Sequence, residues 1–104
     1  MAGLIWNSPA FLFLETLPET LALSIFHQAE MLKVFPSMGG PLPNTKKAYS
    51  QYRQLIHQKR YRIIYEFDEL EDTIYVSAVQ SCKQRLPSPR SLARRTPEGE
   101  LPLD

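Results

Sequence analysis

Residues 52–67 read YRQLIHQKRYRIIYEF, and the fold follows from how these residues alternate. In 61–67 (YRIIYEF) five of the seven side chains are β-branched or aromatic. Tyr61, Ile63, Tyr65 and Phe67 fall on one face of a strand, with Arg62, Ile64 and Glu66 on the other. Residues 49–56 alternate similarly without a breaker, and 57–60 form the turn joining the two strands. Downstream, 68–72 (DELED) is a polar turn and 73–79 (TIYVSAV) a third strand, which completes an antiparallel meander.

Upstream of the meander the period changes. Residues 3–7 (GLIWN) are a short apolar run that reads as an opening strand. Ser8 followed by Pro9 marks a helix start, with the Ser side chain capping free N–H groups and Pro in the first turn. The first helix spans 9–17 and is apolar at Ala10, Phe11, Leu14 and Leu17. Pro18 and Glu19 restart a second helix over 18–35, in which Ala22, Ile25, Phe26, Ala29 and Leu32 form one apolar stripe. Pro36 stops it, and Gly39, Gly40, Pro41 and Pro43 make a loop. The expected fold is α+β: an N-terminal strand and helical hairpin packed on a small, mainly antiparallel sheet, in the order β-α-α-β-β-β. The sheet face turned away from the helices is expected to carry cations.

The 104 residues fit one domain, placed at 1–86, and a 43% hydrophobic share supplies one core. Residues 87–104 hold four Pro and no periodic apolar pattern, as in a loosely ordered tail or a segment that docks elsewhere. A single Cys excludes an intramolecular disulfide, a zinc finger and an iron–sulfur centre, and it fits a reducing compartment. Asn7, Pro9, Glu15, Pro18 and Glu19 interrupt the apolar start, and no basic segment precedes it. Neither a secretory signal nor a membrane span is expected, and the protein reads as soluble and cytoplasmic.

The formal net charge of +1 hides a segmented distribution. Residues 46–63 carry a net +6 and 76–95 a net +5, against −5 over 64–75, −2 over 1–45 and −3 over 96–104. Blocks of this kind make strong local fields although the total cancels, and a phosphate-facing surface is compatible with them.

The runs FPSMGGPLPN, YRQLIHQKRYRIIYEF and DTIYVSAVQSCKQR, in this order, resemble the RelE/ParE superfamily of bacterial toxins from type II toxin–antitoxin pairs. The resemblance spans roughly residues 3–86 in order and element type. It implies a RelE-like fold and a compact toxin neutralised by a cognate antitoxin. Two activities occur in the superfamily: RelE-like members cut mRNA, usually on the ribosome, whereas ParE-like members inhibit DNA gyrase and are not nucleases. In the RelE-like pattern a metal-free ribonuclease site draws on strand-borne Lys and Arg. Arg53, Arg62 and Lys83 match those positions and are the catalytic candidates, with Lys59, Arg60 and Arg85 as RNA- or phosphate-binding candidates. The sequence departs from the pattern at Leu55, where a second basic residue is expected, and at Ser81, where many relatives carry His. No Tyr follows Tyr75. The PSMGGP stretch resembles ParE-like members more closely.

Metal-free RNA cleavage has the ribose 2′-OH attack its own phosphate, and it needs a base, an acid and cations around the phosphorane. Arginines neutralise that charge bidentately, and a lysine crowded by like charges can serve as base. Lys83 or Lys59 is the candidate base, with Tyr52 or Tyr61 assisting. No metal or other cofactor is called for, since His27 and His57 have no partner at ligand spacing. Each residue also has a structural alternative. Arg62 shares a strand face with Glu66 and could pair with it, and Arg53 could anchor the loop before it. His57 reads as a solvated turn residue, Cys82 as a small half-buried side chain, and 68–72 as a solubilising hairpin tip.

The expectation from these residues is a toxin that cleaves mRNA, with gyrase inhibition as the alternative and an inactive binding protein of the same fold as the third. Its partners are an antitoxin docked on free sheet edges or the helical hairpin, and mRNA or gyrase.

Overall fold

Along residues 1–94, which the computed structural model describes, the elements are β1 (Gly3–Trp6), α1 (Ser8–Glu15), α2 (Glu19–Glu30), β2 (Gly40–Pro41), β3 (Tyr52–His57), β4 (Tyr61–Asp68), β5 (Thr73–Ser81) and α3 (Pro89–Leu92). They form an α+β domain with one five-stranded sheet ordered β1-β5-β4-β3-β2. The meander is antiparallel as its alternation predicts, and β1 joins it in parallel along β5, with Ile5 opposite Tyr75.

The helical hairpin covers one face. Ala10, Leu14, Ile25, Ala29 and Leu32 bury against Leu55, Ile63, Tyr65, Ile74, Val76 and Val79, and Trp6 stacks on Phe26 with ring centroids 5.9 Å apart. Val76 and Val79 lie three positions apart, yet both enter this core. A bulge at Ser77 explains it: Ile64 pairs with Ala78 and Tyr65 with Val76, so the alternation of β5 is reset between them.

Local boundaries differ from the sequence reading for identifiable reasons. The second helix stops at Glu30, and a single 3₁₀ turn, Met31–Lys33, carries the chain on toward Pro36. Asn7, not Ser8, occupies the cap position of α1; its side-chain oxygen makes no cap bond, and its Nδ2 donates to the Ala93 carbonyl at 3.1 Å. Tyr49 belongs to a 3₁₀ turn, Lys47–Tyr49, so β3 begins at Tyr52. The loop after Pro36 contributes the two-residue edge strand β2.

The face away from the helices is not a bare cationic surface. Leu42, Tyr49, Tyr52, Ile64 and Leu92 bury together there, with Ala78 and Leu86 packed on them. The loop before β3 and the segment after β5 close over this face. Of the expected tail, Leu92 is buried on this face, and residues 95–104 lie outside the described residues. No described helix is long and apolar enough to cross a membrane.

Candidate functional site

At the end of the sheet where β3 turns into β4, the chain makes a tight β-turn, with Arg60 N–H donating to the His57 carbonyl at 3.0 Å. Both central residues are left-handed, Gln58 at φ 52° and Lys59 at φ 60°, a conformation that non-glycine residues adopt at a cost. This turn hands the strands the twist that hairpins need and presents Lys59 and Arg60 beside the end of β5. Cys82 N–H donates to the Arg60 carbonyl at 2.9 Å and fixes the two segments together.

Lys59, Arg60, Tyr61, Ser81, Cys82 and Lys83 line one cleft of about 160 Å³. The Arg60 guanidinium sits 5.9 Å from the Tyr61 ring centroid. Three of the six cations singled out in the sequence thus converge here. With hydroxyls from Tyr61 and Ser81, they make a site that can hold an oxyanion. Among the described residues, neither a carboxylate nor an imidazole lines it.

The other three candidates are placed differently. Arg62 points to the opposite face from the helices, 8% exposed, with Nη2 donating to the Cys82 carbonyl at 3.2 Å. Arg85 is exposed, and its carbonyl accepts from Gln80 Nε2 at 3.0 Å. Arg53 lies on the helix face, opposite Tyr65 in the register, and its Nη1 donates to the Gly39 carbonyl at 2.8 Å. Arg53 and Arg62 therefore do not meet.

Around Arg53 the packing is tight. The Tyr65 hydroxyl donates to the Pro36 carbonyl at 2.8 Å and accepts from Gly39 N–H at 3.0 Å. A Cβ at Gly39 would stand 2.6 Å from the Gln54 carbonyl oxygen and 2.8 Å from the Tyr65 hydroxyl. Burial raises the Tyr65 hydroxyl above its ordinary pKa, so it stays a neutral donor. Arg53 anchors the preceding loop, as its structural alternative had it.

Two groupings were not legible in the sequence. His57 is buried, not a solvated turn residue: its Nδ1 donates to Gln28 Oε1, and its Nε2 pairs with Ser24 Oγ at 3.0 Å, both on α2. Burial lowers its pKa and keeps the ring neutral. Glu66 pairs not with Arg62 but with Arg94, whose Nε lies 2.9 Å from Glu66 Oε1. The same guanidinium reaches Asp68 at 2.9 Å and Glu71 at 3.5 Å, and lies 3.9 Å from the Tyr75 ring centroid. Burial alone would lower the Arg94 pKa, but the bonds to Glu66 and Asp68 outweigh it and raise it. The acidic turn is thus the receptor for the C-terminal segment, not only a solubilising tip.

A parallel edge strand, a helical hairpin and an antiparallel meander closed in this strand order define the RelE-type toxin fold. The RelE toxin of Escherichia coli, solved alone, superposes with a TM-score of 0.66 at 13% identity, covering 82% of this chain and 88% of that one. The toxin–antitoxin complex RelBE2 of Mycobacterium tuberculosis matches with a TM-score of 0.65 at 20% identity, over 77% of this chain and 96% of that one. In the intact RelBE complex of Escherichia coli the values are 0.64 and 13%, over 81% and 100%. Residues 6–86 match the family of ParE toxins of type II toxin–antitoxin systems of the parDE type, and the chain belongs to that family. No curated protein matches the chain.

Proposed function

We propose that this toxin inhibits DNA gyrase without cutting RNA and is neutralised by a cognate antitoxin. One observation carries the choice between the two activities of the superfamily. The case for mRNA cleavage rests on Arg53, Arg62 and Lys83 acting together, and the sheet puts Arg53 and Arg62 on opposite faces. With the C-terminal segment docked, Arg62 is also buried, out of reach of an RNA phosphate. His57, which could have served as a base, is on the other face and engaged by α2. Tyr52, opposite Glu66 and four residues along the strand from Arg62, is buried, which raises its pKa and disfavours the phenolate.

An antitoxin partner is supported by the toxin–antitoxin complexes among the solved relatives. The exposed apolar side chains Phe11 and Leu12 on α1 and Leu23 on α2 suit such a partner.

A second reading, RNA cleavage, is favoured by the cleft of Lys59, Arg60, Tyr61 and Lys83, where two lysines and a phenol could exchange protons beside a bound phosphate. Induced expression in a bacterial host separates them. Gyrase inhibition arrests growth with the DNA-damage response switched on and transcripts intact, and the small protein encoded beside the toxin relieves it. Cleaved transcripts without DNA damage would overturn it in favour of the second reading.

A further inference from the structure

The second face of the sheet contains an unbalanced buried cation. Among the described residues, Nη2 of the Arg62 guanidinium has a protein partner, while Nε and Nη1 are buried without one. The cross-strand neighbour Gln80 likewise has a buried, unpartnered Oε1. Buried polar groups are nearly always satisfied, and leaving them unpaired is costly. The closed arrangement is held shut against that cost.

What holds it is the chain's own C-terminal segment. It runs back across this face from the Arg62 end to the Glu66 end. The Arg85 carbonyl takes the Gln80 amide, the Pro87 carbonyl accepts from the Tyr49 hydroxyl at 2.9 Å, and Leu92 is fully buried beside Tyr52 and Ile64. The Ala93 carbonyl takes the Asn7 amide, and Arg94 then closes on Glu66, Asp68 and Glu71. The two ends differ in chemistry. Along its length the segment makes these hydrogen bonds and buries Leu92 with Leu86 packed beside it, whereas its far end carries an ion-pair network around a guanidinium 38% exposed to solvent. Exposed ion pairs are screened by salt.

We propose that residues 85–94 are a releasable strap, latched by Arg94 on Glu66, Asp68 and Glu71, whose opening uncovers Arg62. With the strap closed, Arg62 is 8% exposed and the strap's Arg85 carbonyl is held by Gln80, the cross-strand neighbour of Arg62. Open, the strap exposes Nε–H and Nη1–H as two charged donors that an oxyanion can take. The device does not depend on which target the toxin has.

Modification by phenylglyoxal, read by mass spectrometry at individual arginines, tests it on the full chain. In Arg94→Gln the Arg62 rate rises about fivefold to tenfold over wild type, the scale on which a partly exposed ionic latch shifts a closing equilibrium. The rate at exposed Arg53 stays unchanged. Raising salt to about 1 M speeds Arg62 modification in the wild type and adds little in Arg94→Gln. An Arg62 rate indifferent to both the substitution and the salt overturns the strap. So does a rise accompanied by lost hydrogen-exchange protection at Ile63 and Tyr65, since that reports global unfolding.

Discussion

Arg53 and Arg62 lie on adjacent, hydrogen-bonded strands and leave opposite faces of the sheet: Arg53 stands opposite Tyr65, and Arg62 opposite Ile56. An even number of register steps would have put them on one face, but the separation here is three, so alternation sends them apart. Arg53 serves the Gly39 loop and Arg62 the end of β5. With no shared partner, their contributions to stability should be independent. Arg53→Ala is expected to cost about 1 kcal/mol, the worth of one charge-assisted hydrogen bond at an exposed position. A double-mutant cycle by urea unfolding should return a coupling below about 0.5 kcal/mol.

Gly39→Ala is expected to be more damaging than its size suggests. The new methyl meets a backbone oxygen and the Tyr65 ring, neither of which can swing away. Overpacking of this kind costs about 1–3 kcal/mol, and the loop carrying β2 would shift with it. The midpoint in urea should fall, and the fall should persist in Tyr65→Phe, because the Gln54 carbonyl still blocks the site.

The pH dependence of stability should show two separate windows. Burial lowers the His57 pKa from 6.5, so on acidification the unfolded chain takes up its proton first. The stability tied to neutral His57 is therefore complete above about pH 6.5 and drains below it until the folded imidazole titrates. The Asp68 carboxyl is held below 3.8 by the Glu71 N–H and Arg94, so its contribution is lost only below about pH 4. Thermal melts between about pH 5 and 7.5 should show the first loss, and His57→Gln should flatten it while leaving the second in place.

Two left-handed residues in the β3–β4 turn offer a separation of stability from function. Gln58→Gly and Lys59→Gly should each stabilise the fold by about 0.5–1 kcal/mol by relieving positive φ, offset in part by the entropy of the unfolded chain. Only Lys59→Gly removes a cation from the cleft. Equal stabilisation with toxicity weakened in Lys59→Gly alone would mark the strain as kept for the lysine. Toxicity unchanged in both would make Lys59 a bystander.

How much of this was readable beforehand depends on the range of the interactions involved. The faces of β4 were readable, because Tyr61, Ile63, Tyr65 and Phe67 alternate with Arg62, Ile64 and Glu66 within seven residues. The stripe of α2 was readable for the same reason, its period lying inside one element. The Ser77 bulge was not, since nothing local distinguishes a serine that pairs from one that is skipped. The pairing of Glu66 with Arg94, 28 positions away, depends on a Pro-rich segment folding back over a sheet whose shape the segment itself does not encode. His57 was misread because it ends a strand, and its partners Ser24 and Gln28 are supplied by a helix about 30 residues earlier. The cluster of Lys59, Arg60 and Lys83 was legible as charge blocks, but the separation of Arg53 from Arg62 needed the register.

The most direct test of the account places purified gyrase, relaxed plasmid, ATP, a labelled mRNA and the toxin in one reaction. Supercoiling should fall with toxin dose while the mRNA stays full length, and both readings should return to control when the antitoxin is added. A cleaved mRNA with supercoiling undiminished would contradict the account and return Arg62 and the Lys59–Lys83 cleft to a nuclease role.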